Sequence, residues 1–221
     1  SMAVEAGRQA LAQTGIRPEE LDMIVVSTMS PDAVLPCTAC EVQKAIGAEG
    51  AVCFDLQAAC TGFIFAYNTA QAYIQSNMCR TVLLIGSERL SRLVDWTDRG
   101  TCILFGDGAG AAVLKAAEGR AYLPVSHSDG KKGEALTCDR YIHMDGRAVF
   151  QFAVTRVPEV IREVLTKNEL LMDDVDYFVL HQANRRIVEA VAKRLNVPPE
   201  RFPMNLEEYG NTSSASIPIL L

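Results

Sequence analysis

Three residues of this chain have types and settings that could carry chemistry. Cys60 stands in DLQAACTGF, where an apolar strand gives way through a tight turn to an apolar helix. A thiol at a helix N-terminus meets unpaired backbone N–H groups and the positive end of the helix dipole, which favour the thiolate and so a nucleophile. The same residue also reads as a small buried filler, because free cysteine is among the most buried residue types. His181 closes the apolar run YFVL and opens HQAN, at the strand end where ligand sites form in open α/β sheets. Asn211, in YGNTSSASIP, lies between Gly210 and an incipient helix and reads on its own as a helix cap. His127 and His143 lie in the polar stretches SHSDG and IHMDG and read as solvated.

Other patterns carry less. Gly106–Gly110 (GDGAG) lacks the GxGxxG spacing and is followed by strand-like AAVL, so close packing in a hairpin suits it better than phosphate binding. Cys37 and Cys40 make one CxxC without a second pair, which argues against zinc, and no metal is expected. The only tryptophan, Trp96, lies beside Arg99 in DWTDR; an indole and a guanidinium could clamp an adenine, although a solvated loop explains the bare pattern. Arg186 and Lys193 share one helix face, with Arg194 adjacent, and Ile187, Val191 and Leu195 form the opposing apolar stripe.

The elements that must position these residues follow from periodicity. The spacing predicts helices over 3–14, 38–46, 61–76, 149–167 and 185–195. Buried strands are expected over 23–28, 51–56, 81–86 and 177–180, with another near Tyr122 and a hairpin pairing 102–105 with 109–116. Such alternation implies an α/β fold with mostly parallel buried sheets. The 221 residues are 49% hydrophobic and 22% charged, which excludes disorder and low complexity. A net charge of −6 argues against nucleic acid as a partner, and no apolar run has the length of a membrane span. Seven cysteines without framework spacing fit a reducing cytoplasm.

An internal echo accompanies the alternation. Residues 11–27 align without gaps to 165–181, pairing Leu11 with Leu165, Asp22 with Asp176, and Val25 and Val26 with Val179 and Leu180. With a slip of three residues, Cys60 falls opposite Asn211. Two ordinary helix–loop–strand units would also give such an echo; a duplicated α/β half is the other reading. It divides the chain into halves at 1–117 and 118–221. By this comparison a strand is missing before the first half and the closing strands after the second, roughly 50 residues at each end.

Together, CTGF after an apolar strand, GDGAGAAVL, HQAN and GNTSSASIP resemble the β-ketoacyl-acyl carrier protein synthase III family in order and context, from Ala3 to Leu221. The resemblance implies a thiolase-like fold of two pseudo-duplicated βα halves in layered α-β-α-β-α order. It also implies a Cys-His-Asn triad on Cys60, His181 and Asn211. The implied activity is a decarboxylative Claisen condensation that starts fatty acid synthesis: an acyltransferase that takes acyl-CoA and malonyl-acyl carrier protein as substrates and uses no cofactor. Cys60 would be acylated, while His181 and Asn211 would donate hydrogen bonds to the enolate oxygen formed on decarboxylation.

By the same resemblance Arg99 contacts the CoA adenine, Leu90 and Phe105 line the primer pocket, and Leu35 reaches across a homodimer interface. Met144 and Gly146 border the CoA channel, Asn184 joins the substrate-binding set, and Arg186, Lys193 and Arg194 dock the acidic carrier protein. A role for Trp96 in CoA binding is our own reading. Between GEALT and HMDG the chain is shorter than the family pattern, so the residues around Met144 follow it least closely. The glycine that partners the Cys60 N–H in the family's second oxyanion hole lies beyond Leu221, and on this reading the chain names its chemistry without completing it. Expected partners are acyl carrier protein, CoA thioesters and a second copy of the chain, in the cytoplasm, with neither nucleic acid nor membrane. Alternatives are a related priming synthase of secondary metabolism and a non-catalytic acyl-binding subunit of the same fold.

Overall fold

The computed structural model describes residues 1–221. Its elements in chain order are α1 (Met2–Thr14), β1 (Met23–Ser27), α2 (Thr38–Ile46), β2 (Val52–Leu56), α3 (Gly62–Gln75), β3 (Thr81–Arg89) and β4 (Asp107–Lys115). Then come β5 (Leu136–Cys138), β6 (Ile142–Met144), α4 (Gly146–Lys167), α5 (Arg185–Leu195), α6 (Leu206–Tyr209) and α7 (Ser216–Leu220). Short 3-10 turns at Pro18–Glu20, Ala59–Thr61, Met172–Asp174 and Ser213–Ala215 join several of them. By internal packing the chain forms two compact units, one of residues 1–90, 106–119 and 212–221, the other of 91–105 and 120–211.

The first unit is built on one sheet, in the order β2-β1-β3-β4. β1 runs parallel to β2 and β3, while β4 returns antiparallel to β3. Side chains alternate across a strand, so Ile24 and Val26 of β1 and Leu83 and Ile85 of β3 share a face, and that face packs on Ala3, Ala10 and Leu11 of α1 and Ala39 and Val42 of α2. α3 covers the other side, where Phe63, Ala66 and Ala70 are buried. With both faces covered, β1 is buried at every position, which is why MIVVS carries no alternation. α1 and α2 stop where the sequence supplies Gly15 and Gly47, both in the left-handed conformation.

The second unit packs α4 against α5 through Ile161, Leu165, Ile187, Val188, Val191 and Leu195. The Phe178 and Phe202 rings stack on this core at 5.0 Å. β5 and β6 form a two-stranded antiparallel ladder, and Asp145 then caps α4 by accepting from the Arg147 and Ala148 N–H groups.

Three expectations are corrected. The hairpin pairing 102–105 with 109–116 does not form: β4 pairs with β3, Gly110 lying opposite Gly86, and 102–105 is held in turns by Cys102 N–H to Asp98 O and Leu104 N–H to Thr101 O. The glycines serve close packing instead, since a Cβ on Gly110 would lie 2.5 Å from the Pro218 carbonyl carbon. Nor are strands formed at Tyr122 or over 177–180. There the backbone bonds to other groups: Leu123 to the Asn168 amide, at 2.7 Å for its N–H and 2.9 Å for its carbonyl, and Phe178 N–H to Arg201 O at 2.7 Å.

Backbone features recur at a spacing of 154 residues. The turn at Pro18–Glu20 is matched by Met172–Asp174, each closed by an acidic side chain accepting from the backbone N–H of the residue before it, Arg17 or Leu171. Gly15 and Glu169 are both left-handed, and so are Ala59 (φ 45°) and Ser213 (φ 50°). The three-residue slip is therefore not needed: the counterpart of Cys60 is Ser214, and that of His181 is Ser27.

Candidate active site

Cys60 is half-buried in the 3-10 turn Ala59–Thr61, which runs directly into α3. Ala59 holds a left-handed φ of 45°, a conformation that costs a non-glycine residue of order 1 kcal/mol and is found at nucleophile turns. Thr61 closes the turn by donating from both N–H and Oγ1 to the Ala58 carbonyl, the latter at 2.8 Å. Gly62 allows a close approach: a Cβ there would lie 1.9 Å from Ser27 Oγ, which would have to rotate away, and 3.4 Å from Ser214 Cβ. The helix start is thereby pressed against the end of β1 and the Ser213–Ala215 turn.

His181 is half-buried and follows the apolar run 177–180, with its carbonyl accepting from Ala183 N–H at 3.0 Å. The loop is pinned by its neighbour Gln182, which is fully buried. Gln182 Nε2 donates to the Leu180 and Pro203 carbonyls, and its Oε1 accepts from Asn205 N–H. Asn184 caps α5, its Oδ1 accepting from Ile187 N–H at 2.9 Å, so that oxygen is committed to the fold.

Asn211 is 8% exposed. It follows Gly210, whose φ of 65° with ψ of −155° is essentially restricted to glycine. Asn211 N–H donates to Leu104 O at 3.0 Å, and a parallel bridge pairs it with Phe105, one of the expected pocket residues.

The remaining candidates divide by exposure. Leu90 is buried at 1%, and Phe105 and Met144 are half-buried. Trp96 is 67% exposed, and Arg99 and Gly146 are exposed too. The DWTDR loop is nevertheless ordered: Asp95 accepts from Thr97 N–H and Oγ1, and Asp98 from Gly100 N–H and Thr101 Oγ1. Hydrogen bonds from Thr97 and Thr101, respectively, hold these two carboxyls below their ordinary range. On α5, Arg186, Lys193 and Arg194 are all exposed, with Arg186 lying over the Phe150 ring at 5.5 Å. Leu35 and its neighbour Val34 are exposed at 83% and 87%.

The cysteines away from this turn are of a different kind. Cys37 Sγ lies 3.4 Å from Cys40 Sγ, and Asp55 occupies the α2 N-terminus by accepting from Thr38 and Ala39 N–H. Burial first, then the neighbouring Cys40 and Cys37, push the Cys53 thiol up to about 12, and the hydrogen bond with Cys37 raises Cys40. No cluster of three or more His, Cys, Asp or Glu side chains is arranged to hold a metal ion.

Two groups escaped the sequence reading. Glu88 is a carboxylate buried at 1%, and Ser214, also at 1%, bonds to it. The spacing of 154, continued without a slip, would have pointed to Ser214; nothing in the run GSER marks Glu88.

Comparison with known proteins places this geometry. Residues 54–130 match the family model for 3-oxoacyl-[acyl-carrier-protein (ACP)] synthase III, and residues 165–221 match that for its C-terminal part. Over its whole length the chain is 48% identical to the β-ketoacyl-[acyl-carrier-protein] synthase III 1 of Bacillus cereus, of which it covers 72%. The crystal structure of 3-oxoacyl-[acyl-carrier-protein] synthase III from Aquifex aeolicus superposes with a TM-score of 0.95 at 45% identity, over 99% of this chain and 72% of that one. The priming β-ketosynthase of the R1128 polyketide pathway superposes at 0.94 with 37% identity, over 99% and 70%. The fold is the thiolase-like fold of these enzymes, and the chain belongs to the β-ketoacyl-[acyl-carrier-protein] synthase III family.

Proposed function

We propose that this protein condenses a short acyl-CoA primer with malonyl-acyl carrier protein, releasing CO₂ and initiating fatty acid synthesis. The observation that carries the reading is Cys60 on a strained turn at the head of a long helix, in a chain of this family. Cys60 attacks the thioester carbonyl, the thiol of CoA leaves with a proton, and the acyl group stays on sulfur. Malonyl-acyl carrier protein then loses CO₂. His181 and the Asn211 amide donate hydrogen bonds to the enolate oxygen; such preorganised donors are worth about 3–4 kcal/mol each. The carbanion attacks the acyl-Cys60 carbonyl, and collapse of that adduct returns the thiolate and yields a β-ketoacyl product. No step calls on a metal or cofactor.

Arg99, with Trp96 beside it, takes the CoA adenine; Leu90 and Phe105 line the primer pocket; Met144, Gly146 and Asn184 complete the substrate set. Arg186, Lys193 and Arg194 receive the acidic carrier protein, a reading supported by their joint exposure on α5 of a chain whose net charge is −6. A homodimer through the Leu35 segment is supported by the exposure of Val34 and Leu35. The cytoplasm is the proposed place of work; no helix is long and apolar enough to cross a membrane.

The test is transfer of a radiolabelled acyl group from a panel of acyl-CoAs to malonyl-acyl carrier protein. Labelled β-ketoacyl carrier protein is expected with short primers, and Arg186→Ala should raise KM for the carrier substrate by about threefold to tenfold while sparing acylation. Condensation confined to a long or unusual starter would favour a priming synthase of secondary metabolism, a reading the R1128 enzyme's superposition supports. Binding without transfer would favour an acyl-binding subunit.

A further inference from the structure

The one carboxylate buried in the first unit's sheet has no part in the reaction described above. Glu88 is the penultimate residue of β3 and is 1% exposed. Its Oε2 accepts from Ser30 Oγ at 2.5 Å, Met29 N–H at 3.1 Å and Thr28 Oγ1 at 3.4 Å. Ser30 Oγ in turn accepts from Arg89 N–H at 2.7 Å. On its other side, Oε1 lies 2.9 Å from Ser214 Oγ, which is also 2.9 Å from the Ser27 carbonyl oxygen. Three backbone segments thus meet at one side chain, the loop after β1, the end of β3 and the Ser213–Ala215 turn, and Ser214 ties in the end of β1 through the Ser27 carbonyl.

Ser214 matters because of where it stands. It is the counterpart of Cys60 in the 154-residue repeat, it packs beside Gly62 at the head of the Cys60 helix, and it follows Asn211 by three residues. The turn's own φ of 50° at Ser213 is unfavourable and must be held by its surroundings. Gly86 lets that turn come close: a Cβ there would lie 2.4 Å from the Ser214 carbonyl oxygen. We propose that Glu88 is a positioning residue, clasping the second nucleophile-type turn through Ser214 so that the segment carrying Asn211 is held for the decarboxylative step. Resting on the synthase reading, the proposal separates two half-reactions: acylation needs Cys60, and decarboxylation needs Asn211 fixed.

Partner chemistry selects the variants. Ser214→Ala removes only the bond from the turn and leaves Glu88 with Thr28, Met29 and Ser30. Glu88→Gln keeps an oxygen for those three donors and offers Ser214 an N–H, freeing the serine proton for the Ser27 carbonyl. Glu88→Ala leaves buried donors with no acceptor and is expected to be the least stable. The experiment measures acylation of Cys60 from acetyl-CoA in a single turnover, and CO₂ release from malonyl-acyl carrier protein, on the folded fraction of each variant. In Ser214→Ala decarboxylation should fall about tenfold while acylation stays within about twofold, and Glu88→Gln should run close to the parent in both.

Unchanged decarboxylation in Ser214→Ala, or an equal fall of both half-reactions, would overturn the proposal. So would a Glu88→Gln variant as impaired as Ser214→Ala. Failure of the parent protein to acylate Cys60 would instead overturn the synthase reading, and so would be told apart.

Discussion

Two turns in this chain share a backbone and differ in what they present. Ala59–Thr61 and Ser213–Ala215 are both 3-10 turns, each opened by a left-handed non-glycine residue, and each runs straight into a helix. The first leads into the fourteen residues of α3 with a half-buried thiol, Cys60, at its centre. The second leads into the five residues of α7, and its central side chain, Ser214, is sealed at 1% exposure against Glu88. A duplicated half supplies the same elbow twice. On the proposed mechanism the chemistry falls to the copy with the half-buried thiol, and the other copy serves as a fastening.

The sharpest way to break this comparison is to truncate both centres. Cys60→Ala should abolish condensation, by about three orders of magnitude or more in kcat, whereas Ser214→Ala should cost about tenfold. Steady-state kinetics with a saturating primer would check both, and comparable losses would dissolve the distinction between nucleophile and fastening.

The glycines that admit the two turns should differ next. A Cβ on Gly86 meets backbone, the Ser214 carbonyl oxygen at 2.4 Å, while one on Gly62 meets the Ser27 hydroxyl, which can rotate away. Gly86→Ala should therefore cost about 3 kcal/mol of stability and Gly62→Ala about 1 kcal/mol. Thermal or urea unfolding gives the order; a reversed order would mean that the Ser213–Ala215 turn yields more easily than its packing implies.

Relieving the left-handed residues is a gentler probe. Ala59→Gly and Ser213→Gly each remove backbone strain but loosen the unfolded chain, so each should leave stability within about 1 kcal/mol. Acylation should slow in Ala59→Gly alone, since on the proposed mechanism only that turn aims the nucleophile. Equal effects on acylation from the two variants would count against the assignment.

The smallest effect concerns the cysteines that are not at a turn. The Cys53 thiol is raised to about 12 in the folded protein from an ordinary value of 9.0, chiefly by burial. The folded state therefore holds its proton where the unfolded state has lost it. Its contribution to stability is complete below pH 9.0 and is lost as pH rises toward about 12. Urea unfolding across that window should show the decline, and Cys53→Val should flatten it; an unaltered slope in the variant would show that Cys53 is not its source.

Much of this was legible in the sequence where local rules decide. α2 and α5 fall on the residues that periodicity and capping require, because Gly47 and Asn196 stop them and Asn184 starts the second. The triad candidates stood out because Cys60 and His181 lie where apolar runs end. Pairing was less legible, since it depends on partners remote in the chain. β4 reads as a hairpin arm until β3, lying before the 90–106 segment, is seen to take it, and the run 177–180 has strand composition without a ladder. The clasp at Glu88 was invisible: one acidic residue after TVLLIGS reads as the strand's exit into water, and only the approach of residues 28–30 and 214 makes it a buried acceptor. The slip that set Cys60 opposite Asn211 arose the same way, from matching side chains where the repeated feature is backbone geometry.

The central claim is that Cys60, alone among seven cysteines and in contrast to Ser214, carries the acyl group. Brief incubation of the native protein with acetyl-CoA, followed by proteolysis and mass spectrometry, tests it directly. One acetyl group located on Cys60 by fragment-ion sequencing, with none on Ser214 or on the other six cysteines, is the predicted result. An acyl group on any of those others, or a Cys60→Ala variant that still becomes acylated, would contradict the account.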